Sequence, residues 1–348
     1  MSRRMIDNPS GVLQTNPVPI VAQLAMEYLT ENSEDEYRQR RSGSATCCSA
    51  FDSFLRWIPV IFIGAVLVYS YYVYVWHLCL HKMPNAALMG ALLLWYHLLL
   101  LMFLWTYWRT LRTKCRPIPD EWSIPEADWV RLQRADGLEE RRSILAAIGR
   151  ALPITVCDQN GVVRYCVHCR LIKPDRAHHC RICGCCILKM DHHCPWVNNC
   201  VNFHNYKFFL LFLAYSSLYC LDILVTLMLD LHQAWGIDFD NVDMDSLLTI
   251  IPMIFALIFT TAALIMLGMH IYFVLLNRTT MESAYSPTFC AGGRTRKAFD
   301  LGCCENLREV FGDRWYLWPL PIYSSRGDGL TFSTSYESRD GSISSTAV

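Results

Sequence analysis

Long apolar runs alternate with polar stretches of very unequal length along this chain. Four runs are long enough to cross a hydrocarbon layer, which takes about 20 residues at the helical rise. They cover about Trp57 to Trp76, Ala87 to Trp108, Phe208 to Leu229 and Leu247 to Leu276. The first, "WIPVIFIGAVLVYSYYVYVW", carries an indole at each end, where a bilayer's interfacial belt favours one. The pattern predicts an all-α integral membrane protein with four transmembrane helices, and a small cysteine-rich domain is expected between the second and third. In the polar stretch before the cysteines, "LEERRSILAAIGRAL" places Leu138, Leu145, Ile148 and Leu152 near one helical face and predicts a surface helix. Both ends of the chain lack periodicity and read as disordered tails. The expected divisions are 1–50 tail, 51–108 first two spans, 109–206 loop with the cysteine-rich domain at 163–206, 207–277 last two spans, 278–323 C-terminal segment and 324–348 tail.

Basic residues set the orientation. Arg38, Arg40, Arg41 and Arg56 precede the first span, Arg109, Arg112, Lys114 and Arg116 follow the second, and Arg278, Arg294, Arg296 and Lys297 follow the fourth. The opposite loops carry only Lys82 and the acids Asp238, Asp240, Asp243 and Asp245. Both termini and the cysteine-rich loop are therefore expected on the cytosolic face. Hydrophobic residues make up 53% of the 348, apolar for a soluble protein and pointing to a membrane protein, and the zero net charge identifies no partner. With no apolar run before residue 50 to serve as a signal peptide, the 17 cysteines are expected in reducing cytosol, as metal ligands or working thiols rather than cross-links.

Residues 166–200, "CVHCRLIKPDRAHHCRICGCCILKMDHHCPWVNNC", contain an internal repeat. Cys166, Cys169, His179 and Cys186 are spaced C-x2-C-x9-H-x6-C, and Cys180, Cys183, His193 and Cys200 repeat that spacing. Each set offers three thiolates and one imidazole, a closed tetrahedral complement for structural zinc, so two zinc ions are expected. Such a module can bind nucleic acid, but one tethered between two membrane spans is badly placed to do so. Cys185 falls outside both sets and can exchange with Cys186.

Assigning those eight side chains leaves Asp191, His192 and Cys194 free. Cys194 stands where a third copy would begin, yet Val197 occupies its second cysteine position. The first copy reads "AHHC" where the second reads "DHHC", so a carboxylate appears only beside the unassigned thiol. A nucleophilic cysteine needs a base, and the base needs an acceptor on its other nitrogen. Cys194 is therefore expected as nucleophile, His192 as base and Asp191 as the group that orients it. His168, His178 and His204, lacking such neighbours, are expected to be structural or solvated.

These residues resemble the zinc-containing DHHC protein S-acyltransferases, membrane enzymes that palmitoylate protein cysteines, and in particular the subgroup carrying "IKPDRAHHC" and "KMDHHCPWVNNC". The resemblance extends over roughly residues 50–330. It takes in Thr279, Thr280 and Glu282 of "NRTTMES" as the family's TTxE motif, and "NLREVFGD", with Asn306 and Phe311, as its C-terminal motif. It implies that the cysteine-rich domain consists of short β-hairpins, and that Cys194 is acylated from palmitoyl-CoA and passes the acyl group to cysteines of membrane-associated proteins. It also implies an endomembrane location, in the Golgi with the plasma membrane beyond it. Asn202 departs from the family's glycine after "NNCV" and is expected to supply a left-handed turn. A carboxylate inside a span, Asp222, is costly and has no assigned role.

An acyl chain must be lodged out of water, and Tyr71, Tyr215 and Tyr219 are placed to line a cavity between the spans, with Tyr219 as its floor. Arg164, Lys173 and Arg176, with Lys189 nearby, form a basic cluster suited to the phosphates of acyl-CoA or to anionic lipid. Cys47, Cys48, Cys303 and Cys304 lie where they could be acylated themselves. The end Thr346-Ala347-Val348 fits a PDZ groove. A second reading drops the chemistry and keeps a zinc-stabilised membrane adaptor; the free Asp191, His192 and Cys194 argue against it, and the closed metal sites argue against a transporter.

Overall fold

The structure, a computed structural model, describes residues 46–233, 244–290, 293–295 and 297–335. Arg38, Arg40, Arg41, Asp238, Asp240, Asp243, Arg296 and the Thr346–Val348 end lie outside the described residues, as do the side chains of Cys47 and Cys48. The chain divides into two units, Met1–Leu55 and Arg56–Val348, and the architecture below is that of the second.

Among the described residues, four helices are long and apolar enough to cross a membrane: Phe54–Lys82, Ala86–Arg112, Tyr206–Asp230 and Leu247–Leu275. The first begins as helix α1 (Thr46–Tyr71) and continues as a π-helix over Tyr72–Lys82. The second is α2 (Ala86–Arg112), capped by the Asn85 side chain, which accepts from the backbone of Ala87 and Leu88. The third and fourth belong to α5 (Tyr206–Gln233) and α6 (Met244–Leu275). Helix α5 packs on both α2 and α6 and buries half of its apolar stretch, whereas the other three leave most of theirs outward. Val68, Trp76, Leu94, Leu101, Trp108 and Ile265 belong to this exposed apolar girdle, far larger than a water-facing surface tolerates.

Between α2 and α5, two short helices, α3 (Glu126–Arg134) and α4 (Leu138–Gly149), cover a second core. Leu145 is fully buried there with Trp122, Trp129, Val162 and Ile172. Leu138, expected on the same face, is exposed, and Leu152 lies beyond the helix end.

The cysteine-rich segment folds into three two-stranded hairpins: β2 (Tyr165–Cys166) with β3 (Leu171–Ile172), β4 (His178–Cys180) with β5 (Cys185–Ile187), and β6 (His192–Cys194) with β7 (Asn199–Val201). A separate sheet joins β1 (Val156–Cys157) to β8 (Thr288–Phe289) and β9 (Gly293–Arg294). A Cys157–Cys290 disulfide fastens β1 to the end of β8. This departs from the expectation that cross-links are absent; antiparallel pairing brings together two cysteines 133 residues apart in sequence.

After α6, a single turn α7 (Thr280–Ala284) precedes helix α8 (Cys303–Phe311). Asn306 ties α8 to the end of α6 by donating to the Leu275 carbonyl at 2.7 Å. Residues 324–335, expected within a disordered tail, are instead fixed against the domain. Ser324 and Ser325 donate to the Phe311 and Val310 carbonyls, and Leu330 and Phe332 insert between the hairpins and neighbouring aromatic rings. Gly329 packs so closely on Phe203 that a Cβ would lie 2.7 Å from its ring.

Candidate active site

Each hairpin repeats the same backbone plan. The turn after the first cysteine position ends in a residue with positive φ, at Arg170, Gly184 and Asn198, four residues beyond Cys166, Cys180 and Cys194. Cross-strand neighbours on the second and third hairpins are His179 with Cys186 and His193 with Cys200. The two metal-ligand sets therefore interlock: each takes the turn cysteines of one hairpin and the cross-strand pair of the next.

The structure gathers Cys166, Cys169, His179 and Cys186 in one group and Cys180, Cys183, His193 and Cys200 in another. Around His179 Nδ1 the three sulfurs lie at 3.5, 3.3 and 3.9 Å, and around His193 Nδ1 at 3.7, 3.4 and 3.5 Å. Metal–ligand bonds of about 2.0–2.3 Å in tetrahedral array give edges of roughly 3.4–3.8 Å. Both groups thus have the donor chemistry and spacing to hold a metal ion. Cys185, across from Cys180, is exposed and belongs to neither.

Strand periodicity separates the metal-ligand groups from Cys194. On β6, His193 faces the metal group, so His192 and Cys194 share the opposite face. His192 Nδ1 lies 2.7 Å from Asp191 Oδ2, and the Cys194 thiol is the imidazole's other hydrogen-bonding neighbour. Burial pushes the imidazole down, but the bonds to Asp191 and Cys194 outweigh it and raise His192 to about 9. Burial likewise pushes the Asp191 carboxyl up, and His192, His270 and Thr280 together hold it below the usual carboxylate range.

Asp191 is fixed from outside the hairpin. Thr280 donates its backbone N–H to Oδ1 at 2.9 Å and its hydroxyl to Oδ2 at 2.7 Å. Thr279 caps α7 in a reciprocal box with Glu282, whose carboxylate receives Arg176 through two 2.6 Å bonds. Arg176 also donates to Asn277 Oδ1 and O, both at 2.9 Å, and stacks over Phe299. Its side chain is fully enclosed, so it stands in the wall of the basic region rather than open to a phosphate. Lys189 is buried too, donating to Asn277.

Arg164 and Lys173 remain around His178, which burial and those two cations push down to about 3. Arg164 and His178 line a cavity of about 340 Å³, and Lys173 and His178 line its neighbour of about 480 Å³.

Cys194 opens on its other side into a nearly wholly apolar cavity of about 280 Å³ between the helices. Trp196 and Phe209 stand at its head beside the thiol, and Phe255, Phe259 and Met266 wall it. Along α5 it reaches from Phe209 to Ile223, about 21 Å of helix. Deep in it the Tyr219 hydroxyl lies 3.0 Å from Ser70 Oγ and 2.8 Å from the Tyr96 hydroxyl. Of the three tyrosines expected to line such a cavity, only Tyr219 does so. Tyr71 faces outward toward His97, and Tyr215 donates to the Pro319 carbonyl.

Asn202 does not supply a left-handed turn, since its φ is not positive. Its amide instead bridges the Cys200 carbonyl and the His204 N–H, closing the loop into α5. Asp222 lies against Tyr74 and Trp95 in the bundle, below Tyr219. Sequence reasoning passed over His270, Ser70 and Tyr96. Only His270 carried a usable signal, as a lone imidazole in an apolar run, where ionisable groups are rare.

A family model described as DHHC palmitoyltransferase matches residues 159–286. The chain is 41% identical over 286 residues to palmitoyltransferase ZDHHC15 of Xenopus laevis, covering 82% of this chain and 83% of that one. It is 44% identical over 281 residues to palmitoyltransferase ZDHHC2 of Danio rerio, covering 80% and 77%, and 42% identical over 294 residues to palmitoyltransferase ZDHHC20-A of the same fish, covering 84% and 81%. With hairpins, metal-ligand groups and spans in register with this match, the chain belongs to the DHHC palmitoyltransferase family.

Proposed function

We propose that this protein transfers palmitoyl from palmitoyl-CoA to cysteines of membrane-associated proteins, through a thioester on Cys194. One observation supports this above the rest: the Cys194 thiol belongs to neither metal-ligand group and sits where the Asp191–His192 pair meets the apolar cavity. With Asp191 holding Nδ1, His192 presents Nε2 to the thiol and takes its proton. The Cys194 thiolate then attacks the thioester carbonyl, the bond to the CoA sulfur breaks, and CoA leaves with the proton from His192. A substrate thiol repeats the exchange at Cys194 and carries the acyl group away. One thioester replaces another, so the reaction is nearly neutral in free energy and catalysis is positioning plus thiol activation.

The bound chain explains the cavity. About 14 methylenes at about 0.8 kcal/mol each make burial of a palmitoyl tail worth on the order of 10 kcal/mol. Tyr219, braced by Ser70 and Tyr96, narrows the deep end, one turn before Ile223. Arg164 and Lys173 are the cations we assign to the CoA phosphates, with Arg176 holding the wall behind them. The two four-ligand groups are assigned to two structural zinc ions, whose contribution when bound is to fix the hairpins. The basic flanks of the spans favour a cytosolic active face, and we place the protein in the Golgi with passage to the plasma membrane. No feature of the described residues favours a non-catalytic adaptor.

Purified protein incubated with alkyne-tagged palmitoyl-CoA is expected to acquire a hydroxylamine-sensitive label at Cys194. Cys194→Ser should lose both the label and transfer while keeping two zinc ions per chain. Loss of zinc in that variant would mean that position 194 ligates metal, and the reading would fail.

A further inference from the structure

The Asp191–His192 pair has a third neighbour that the mechanism above does not use. His270 lies on α6 within the fourth span, is wholly buried, and brings a polar ring into an apolar layer where such rings are costly. Its Nδ1 lies 3.1 Å from the Tyr206 hydroxyl. Phe209 stands edge-on to both imidazoles, 5.1 Å from His270 and 5.5 Å from His192, and the two imidazole centroids are 5.8 Å apart. One ring nitrogen of His270 is within 4.8 Å of both a carboxylate oxygen of Asp191 and a ring nitrogen of His192.

Hydrogen-bond arithmetic sharpens the case. His270 Nε2 is buried with no hydrogen-bond partner among the protein groups, an arrangement that is unfavourable unless it is met. With the Tyr206 hydroxyl donating to Nδ1, the ring's proton sits on Nε2 as an unused donor. An ionised carboxylate has about four acceptor sites. Asp191 receives His192 and the Thr280 hydroxyl on Oδ2 but only the Thr280 N–H on Oδ1, which leaves one site open on Oδ1. A His270 ring nitrogen and an Asp191 carboxylate oxygen within 4.8 Å of each other, with no direct bond between the two side chains, are spaced for one bridging water.

We propose that His270 is a positioning residue for acyl transfer, donating through one water to the open site of Asp191 and so holding His192 over Cys194 from the membrane side. Thr280 fixes the carboxylate from the C-terminal segment and His270 fixes it from α6. The orientation of the base is then set by two elements outside the hairpin that carries the nucleophile. This rests on Cys194 being the acylated residue.

The test compares His270→Phe, which keeps a flat ring and removes the donor, with His270→Gln, which restores an N–H donor. Full-length protein in micelles is assayed for single-turnover acylation by palmitoyl-CoA, with zinc content and acyl-CoA KM measured in parallel. A misplacement of about 1 Å at a reacting group costs up to about 100-fold in rate. His270→Phe is therefore expected to slow acylation about 10- to 100-fold, with KM within about twofold of wild type and two zinc ions retained, and His270→Gln to recover most of the rate. Wild-type acylation in His270→Phe would overturn the proposal, as would equal loss of rate in both variants or a change confined to KM. A Cys194→Ser control keeps the two readings apart: label surviving in that control refutes the assignment of Cys194, whereas a normal control with a fast His270→Phe refutes only the role of His270.

Discussion

The Arg176–Glu282 pair is the strongest single link between the hairpin domain and the segment that follows the fourth span, and Glu282→Gln is the perturbation that isolates it. The guanidinium is fully enclosed and makes four hydrogen bonds, two to Glu282 and two to Asn277. Removing one partner of a buried pair costs about 3–5 kcal/mol, because the remaining charge stays desolvated. Asn277 continues to accept two of the four bonds, so the lower figure, about 3 kcal/mol, is expected. At about 2 °C per kcal/mol for a chain of this size, the melting midpoint should fall by about 6 °C. Glu282 also receives the Thr279 N–H in the capping box of α7, and Thr280 of that turn holds Asp191. Acylation of Cys194 should therefore decline along with stability. Alongside Glu282→Gln, scanning fluorimetry of the wild type, Glu282→Leu, Arg176→Leu and the double variant Arg176→Leu/Glu282→Leu closes a thermodynamic cycle. The double variant should lose less than the two single losses combined, since it strands no charge. A Glu282→Gln midpoint within 1 °C of wild type, or strictly additive losses, would refute the reasoning.

Two further outcomes follow from the same geometry. Tyr219→Ala opens the floor of the apolar cavity, and each added methylene accommodated there is worth about 0.8 kcal/mol, or roughly fourfold; competition between palmitoyl- and stearoyl-CoA should shift by about tenfold toward the longer chain, and an unchanged ratio would show that the tail does not reach Tyr219. The Cys157–Cys290 disulfide spans 133 residues, for which chain entropy sets a ceiling of about 5 kcal/mol. Because β1 and β8 already pair, the observed effect should be smaller: reductant should lower the wild-type melting midpoint by a few degrees and leave Cys157→Ser unmoved.

The parts of this molecule legible in its sequence are those under a constraint that admits few alternatives. A bilayer demands about 20 apolar residues per helix, so all four spans could be read within a few positions. Tetrahedral metal ligation demands four donors at fixed separations, and the repeat from Cys166 to Cys200 names the two groups that the structure brings together. Which face of a span lines the cavity was not legible, because a helix apolar all round has no distinguishing stripe; Tyr71, Tyr215 and Tyr219 look alike in sequence and point three different ways. Arg176 reads as one more cation in a basic cluster until Glu282, 106 residues away, is seen to enclose it. Residues 324–335 contain too few apolar positions to show a period, yet Leu330 and Phe332 suffice to fix them. A disulfide between cysteines as distant as 157 and 290 cannot be deduced from spacing at all.

On the proposed mechanism, the hairpins explain what two metal-ligand groups apart from the chemistry contribute to the domain. Strands of two or three residues are marginal alone, and a slip of one residue in a strand exchanges its faces. On β6 that slip would turn His193 toward the cavity and His192 and Cys194 toward the metal-ligand group, exchanging the proposed ligand for the proposed base and taking the proposed nucleophile away from the cavity. The His193–Cys200 pair fixes the register against that slip. The third turn retains the backbone plan of the other two, including the left-handed residue at Asn198, but has Val197 where they have a second cysteine. A third metal-binding turn with one donor removed leaves its remaining cysteine rigidly placed, unligated and next to a carboxylate-held imidazole. On the proposed mechanism the reactive position thus arises from the repeat itself, at the copy that lacks the second turn cysteine.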